Sequence, residues 1–348
     1  LIDYLNSHAE TIITIVVIVL AAISVIVFLG AIYSRWILNI SGKKQRGIKE
    51  KLSEDVVQYA CGDMKFEALE KKLKTHYDHQ ILLSIINELS PSISGAEREK
   101  LQFLLSLPAI NKYFMEQYRS KKQLDKAKAC LYFSRLKSID SDLFPSLLEH
   151  SSVDYPILSY ASSMAIIVHG DDEQKRIALK NQLLNEGLSD QALNDLFVEF
   201  QNVSEGDFSS EAKTIMGFIS EKAYSPARNA LLIRTLGELN YHESAEFLVN
   251  EFMQLHSKLK EPEVAETLIT YMPVFASEET ESNILDRLHI DYATSEYREV
   301  REATVKSLGL FGKEESIPVL KWALYDHDFY VRFYAAKSLN LFPDIELL

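Results

Sequence analysis

The stretch YDHDFYVR, Tyr325 to Arg332, gathers Asp326, His327 and Asp328 at three consecutive positions. Carboxylate and imidazole so placed can ligate a divalent metal, but a closed site takes about four ligands and no fourth is visible here. The competing use is capping, since an Asp before a helix accepts N–H groups that the first turn leaves unpaired. Capping is the expected role. HYDH poses the same question: His76, Asp78 and His79 could bind metal, and a turn between two helices is their expected setting. Cys61 and Cys130 form no spaced set and are expected to be reduced thiols packed in helices. There is no P-loop, no G-x-S-x-G elbow and no dinucleotide-type Gly-rich turn. No catalytic residue, metal or cofactor is expected.

The elements that must carry these residues repeat. VREATVKSLGLF, from Val300, returns 31 positions later as VRFYAAKSLNLF, from Val331. A longer series aligns on Leu136, Ile166, Leu236, Met272, Leu308 and Leu339. The wide gap between Ile166 and Leu236 holds two further helical patterns, DQALNDLFVEF and SEAKTIMGFISEKA, so about seven helix pairs are expected. In the best unit EESIPVLKWAL precedes the turn YDHD and the helix FYVRFYAAKSLNLF, with Pro318 suited to a first turn. Ser225 with Pro226, Glu261 with Pro262, and SGAE from Ser94 to Glu97 mark other helix starts. Between Leu52 and Arg119, DMKFEALEKKLK and EREKLQFLLSL read as helices outside the repeat.

IPVLKWALYDHDFYVRFYAAKSLNLF resembles the HEAT repeat, in the short form with Asp-x-Asp, then Val-Arg, then Ala and Leu, that occurs in phycobilin-lyase-like HEAT proteins. The weaker copy from Leu143 to Val168 keeps the Pro and apolar positions and lacks the paired Asp and the Arg. The resemblance covers roughly residues 120–348 and is strongest after about 295. It implies an all-α α-solenoid of HEAT-like helix pairs over 121–348, with 52–120 as a helical cap region whose outer face is polar. It also implies that Arg301 and Arg332 each pair with a turn carboxylate, forming a structural ladder with Asp326 and Asp328.

Further, it implies that second helices line a concave binding face. ESAEFLVNEFMQL, ETESNILDRL and EESIPVLKWAL are read as such helices, and they carry Glu243, Glu246, Glu251, Glu279, Glu281, Asp286, Glu314 and Glu315. Glu243, Glu246, Glu251 and Glu281, with Trp322 and Tyr325, are the protein-binding candidates. Of the six aromatics Trp322, Tyr325, Phe329, Tyr330, Phe333 and Tyr334, one or two are expected to lie open for a partner. Some HEAT-like enzymes hold two irons with repeated His-Glu pairs; this chain has His242-Glu243 and, in reverse order, Glu149-His150, too few for that site. A HEAT-type enzyme or bilin-binding protein tethered to a membrane is the alternative reading.

Residues 11–34, TIITIVVIVLAAISVIVFLGAIYS, carry no charge and as a helix would cross about 30 Å of hydrocarbon. They are expected to form a single transmembrane helix after a short extracytoplasmic segment, 1–10. No Lys or Arg precedes the span, while the segment 35–51 holds Arg35, Lys43, Lys44, Arg46, Lys49 and Lys51. The positive-inside rule then places the solenoid in the cytoplasm beneath an inner (plasma) membrane, with Lys43, Lys44 and Arg46 at lipid headgroups. The chain has 37 Lys and Arg against 50 Asp and Glu, and with six cations in that collar the remainder is more acidic still. Nucleic acid is excluded as a partner by charge. Protein partners in a membrane complex are expected, with accessory subunits of polysaccharide-synthesising glycosyltransferases as one class that the resemblance suggests.

Overall fold

The computed structural model describes residues 47–89, 95–203, 208–239, 241–254 and 261–342. The apolar span 11–34, the cations Lys43, Lys44 and Arg46, and Ser94 lie outside the described residues. Among the described residues no helix is long and apolar enough to cross a membrane. Every regular element among them is helical, with no strand.

The chain divides into two compact units between Tyr113 and Phe114, slightly before the boundary at 120 read from the sequence. In the first unit, α1 (47–61), α2 (Phe66–Glu70), α3 (His76–Leu89), α4 (Ala96–Leu105) and the start of α5 (Pro108–Tyr118) bury Val56, Leu69, Leu82, Leu101 and Leu104. DMKFEALEKKLK forms only the five-residue α2, because the charges around Leu69 leave a single turn with an apolar side. Gly95, with φ of 64°, stands at the N-cap of α4 without a side-chain cap.

The second unit continues through α6 (Gln123–Phe133), α7 (Phe144–Ser151), α8 (Pro156–His169), α9 (Asp172–Leu184), α10 (Asp190–Asn202) and α11 (Phe208–Glu221). There follow α12 (Pro226–Glu238), α13 (Ala245–Gln254), α14 (Pro262–Phe275), α15 (Glu281–Thr294), α16 (Arg298–Phe311), α17 (Ile317–Ala323) and α18 (Phe329–Leu339). From α7 onward they make six successive pairs, and α6 packs on α8 as the second helix of a seventh. DQALNDLFVEF lies in α10 and SEAKTIMGFISE in α11, so the step from Ile166 to Leu236 spans two pairs, α9 with α10 and α11 with α12. Leu136 is a correction: α6 ends at Phe133, where the Ser134 hydroxyl turns back to the Leu131 carbonyl at 2.9 Å, and Leu136 falls in the following turn.

Helix starts follow local chemistry. Pro156, Pro226 and Pro262 open α8, α12 and α14, where a missing N–H costs nothing. Asp171, Ser189, Ser225 and Asp328 accept first-turn amides. Gly312, at φ 64°, ends α16 in the left-handed region that a side chain would strain.

The second helices α6, α8, α10, α12, α14, α16 and α18 pack in series, each on the next. One buried cluster runs along them from Met164 to Phe342. Close approach is set by small residues in register: a Cβ on Gly309 would run into the Ser338 side chain of α18, and one on Gly237 into the Tyr271 ring of α14. The same register repeats a buried hydrogen bond. Ser338 Oγ donates to the Val305 carbonyl at 2.8 Å and Ser307 Oγ to the Ile269 carbonyl at 2.7 Å. At the other end of the stack, Gln182 Nε2 shares its two hydrogens among the Ser151 carbonyl at 2.8 Å and the Ser159 and Ser163 hydroxyls at 2.7 and 2.8 Å. A buried amide is stable in a core only when partnered in this way.

Candidate functional site

The joint between the last two pairs is built around one ion pair. Arg301, in the first turn and a half of α16, donates Nε to Asp326 Oδ2 at 2.9 Å and Nη2 to Oδ1 at 3.2 Å. The two side chains are only 6% and 5% exposed. Asp326 also accepts from the Tyr292 hydroxyl at 3.1 Å and the Asp328 amide at 2.9 Å. The carboxylate is thereby saturated with four donors, and none of its lone pairs is directed at a metal. Burial alone would raise its pKa, but Arg301, the Asp328 amide and the Tyr292 hydroxyl together hold it below the ordinary carboxylate value.

Arg332, 31 positions after Arg301, repeats half of this arrangement. Arg301 Nη1 donates to the carbonyls of Ser295 and Glu296 at 3.2 and 3.1 Å; Arg332 Nη1 donates to those of Asp326 and His327 at 2.7 and 3.0 Å. The expectation that Arg332 pairs with a turn carboxylate is corrected: it binds its own turn's backbone, and among the described residues no next turn offers it an Asp. Asp328 caps α18 by accepting from Tyr330 N at 2.8 Å and Val331 N at 3.3 Å. His327 touches the pair from outside, its Nε2 3.0 Å from Arg301 Nη2.

HYDH sits at the start of α3. Asp78 accepts from Thr75 N and Thr75 Oγ1, both at 2.8 Å, while Thr75 Oγ1 accepts from Asp78 N at 3.2 Å, a reciprocal cap. His79 is buried, and the His76 side chain lies outside those described. Among the described residues no group of three or more His, Cys, Asp or Glu could hold a metal ion. His150 is buried and lies 3.3 Å from the Tyr118 hydroxyl and 3.1 Å from Lys126 Nζ; burial and then the Lys126 charge lower its pKa. His242 is exposed beside the Phe275 ring. Cys130 is buried as expected, but Cys61 is exposed at the end of α1, where the chain turns through Gly62.

The acidic candidates are placed differently from the expectation. ESAEFLVNEFMQL, ETESNILDRL and EESIPVLKWAL form α13, α15 and α17 with their lead-in turns, and these are the first helices of their pairs, not the second. They are amphipathic with one buried side, so they coat the stacked second helices. Glu243, Glu246, Glu279, Asp286, Glu314 and Glu315 are exposed and Glu251 is half-buried. Glu281 is engaged by Lys313 at 2.6 Å.

The aromatic surplus is also larger than expected. Trp322, Tyr325, Phe329, Tyr330 and Phe333 are all more than half exposed, Tyr325 at 83%; only Tyr334 is half-buried. The reason is position: α18 packs on α16 and α17 and, among the described residues, has no following helix on its far side. Trp322 rests edge-on against Tyr292. Lys306 Nζ stands 3.8 Å from the Tyr334 ring centre and the Arg298 guanidinium 5.7 Å from that of Tyr330. The partners Tyr292, Ser307 and Ser338 were not singled out from the sequence, although Lys-Ser-Leu recurs in both copies of the repeat.

Paired helices stacked in register, with a carboxylate–guanidinium joint between units, define a helical-repeat protein of the α-solenoid class. Residues 285–347 match the family model for HEAT repeats, the segment that contains this joint. No curated protein matches the chain.

Proposed function

We propose that this chain is a non-catalytic protein-interaction scaffold. The observation that carries the reading is the exposed surface of the HEAT segment, where five aromatic side chains stand open next to acidic first helices. Open aromatic side chains are the usual anchors of protein interfaces, and a saturated ion pair is a joint, not a reactive group. In its finer form, the scaffold is tethered by residues 11–34 and displays the solenoid in the cytoplasm as a regulatory subunit of an inner-membrane complex. A polysaccharide-synthesising glycosyltransferase is the first such complex to test.

The test is affinity capture from membranes with mass spectrometry, on the native chain and on the triple variant E243K, E246K, E251K. Loss of a partner at unchanged melting temperature supports docking on the acidic first helices. Unchanged capture with the same salt dependence assigns those carboxylates to solvation. Topology is tested separately by alkaline phosphatase fused after Leu348, which is inactive if the solenoid is cytoplasmic; strong activity overturns the orientation.

A further inference from the structure

The stretch from Arg119 to Lys137 runs against the charge of the chain. It holds seven Lys and Arg beside the single carboxylate of Asp125, in a protein with 37 Lys and Arg against 50 Asp and Glu. It forms the turn between α5 and α6 and the whole of α6. The two helices are clasped by the Phe114 ring stacked on Tyr132 at 4.2 Å and the Tyr118 ring edge-on to Phe133 at 5.3 Å. Arg119, Lys121 and Lys122 in the turn are exposed and, among the described residues, form no ion pair. Asp125 is turned to Ser120, accepting from its hydroxyl at 3.1 Å, and no side chain caps α6, whose N-cap is Lys122. Cations beside uncapped first-turn amides attract anions.

One turn into α6, four residues after Lys122 and on the same side of the helix, Lys126 is half-buried and is bonded to a base instead of a carboxylate. Its Nζ stands 3.1 Å from His150 Nε2, and His150 Nδ1 stands 3.3 Å from the Tyr118 hydroxyl. An ammonium only donates, so Nε2 is the accepting nitrogen and the ring proton sits on Nδ1, directed at Tyr118. Burial and then the Lys126 charge lower the pKa of His150, against the opposing charge of Glu149, and this favours the neutral, accepting ring. An amine within hydrogen-bond reach of a neutral imidazole that a third group orients is the arrangement of an activated nucleophile.

We propose that Lys126 is a self-acylation site whose donor is an acyl phosphate, with the cations of the turn holding the phosphate end and His150 taking the proton of the attacking amine. The amine, having lost one proton to water, attacks the acyl carbon. A C–N bond forms, the C–O bond to phosphate breaks, and the second proton passes through His150 Nε2 to the departing phosphate. The products are an amide at Lys126 and inorganic phosphate, and nothing is oxidised or reduced. The turn thereby loses one cation, and His150 loses the ammonium beside it. The inference goes beyond the scaffold reading and does not depend on it.

The test incubates the full chain with isotope-labelled acetyl phosphate and reads the rate at each lysine by mass spectrometry. Lys137 and Lys213, both exposed, serve as references inside the same molecule. Lys126 should acylate at least about tenfold faster than either, within what a positioned general base contributes. This comparison needs no variant, so it decides even where His150→Gln, which should bring Lys126 to the reference rate, fails to fold. The turn is tested with the surface variant R119Q, K121Q, K122Q. There the advantage of Lys126 should shrink with acetyl phosphate and persist with the uncharged donor N-acetoxysuccinimide.

Lys126 reacting no faster than Lys137 and Lys213 overturns the proposal, as does an advantage that a folded His150→Gln variant retains. A surface variant that reacts like the native chain with acetyl phosphate, or acylation by acetyl-coenzyme A with none by acetyl phosphate, overturns the choice of donor.

Discussion

Arg301 and Asp326 are joined by two hydrogen bonds, at 2.9 and 3.2 Å, across the boundary between consecutive repeats, with both side chains nearly sealed from water. Arg332, at the equivalent position of the next repeat, meets no such carboxylate among the described residues. The two arginines therefore differ in energy despite their identical place in the repeat. Removing one member of a buried pair leaves an uncompensated charge and costs about 3–5 kcal/mol, whereas losing two hydrogen bonds to turn carbonyls at a half-exposed site costs about 1 kcal/mol. Arg301→Ala should lower the denaturant midpoint far more than Arg332→Ala; equal effects would remove the joint as the source of the difference.

Acid should reveal the same pair. Asp326 has its folded pKa held below the ordinary carboxylate value, so its contribution is present above the unfolded pKa and lost as pH falls through the folded one. Native protein and Asp326→Asn should differ most near neutral pH and converge at low pH in thermal melts. A difference independent of pH would point to packing.

Gly309 is required where α16 and α18 approach, because any Cβ there meets Ser338. Gly309→Val should destabilise the protein by about 1–3 kcal/mol through overpacking, even though Gly is the poorer helix former. Chemical denaturation measures it, and a stabilised variant would mean that the helices can part at little cost.

The two thiols should separate cleanly. Burial pushes Cys130 up to about 12, against the opposing hydrogen bond with Ser162, while Cys61 is exposed. At pH 8 an aromatic disulfide reagent should titrate one thiol in the native protein and two after unfolding, with Cys61→Ser abolishing the native reaction. Two fast native thiols would show that the packing around Cys130 opens readily.

What the residues themselves determined was local and periodic. Val-Arg and Lys-Ser-Leu recurring after 31 positions, prolines and hydroxyl or carboxylate caps at helix starts, and the paired Asp before α18 specify helices and their register, because capping and amphipathic spacing act over a few residues. That was enough to expect stacked pairs and to place Asp326 and Asp328 in a turn before a helix. Chain-distant facts were decided by tertiary packing. Whether Arg301 finds a carboxylate depends on the turn of the following pair, and among the described residues no such turn faces Arg332. Whether α13, α15 and α17 are first or second helices depends on which loop closes the tighter hairpin, and periodicity is blind to that. The openness of Phe329 and Phe333 is likewise a property of the stack: an apolar side chain is buried only if a neighbouring element covers it, and among the described residues α18 has its neighbours on one side.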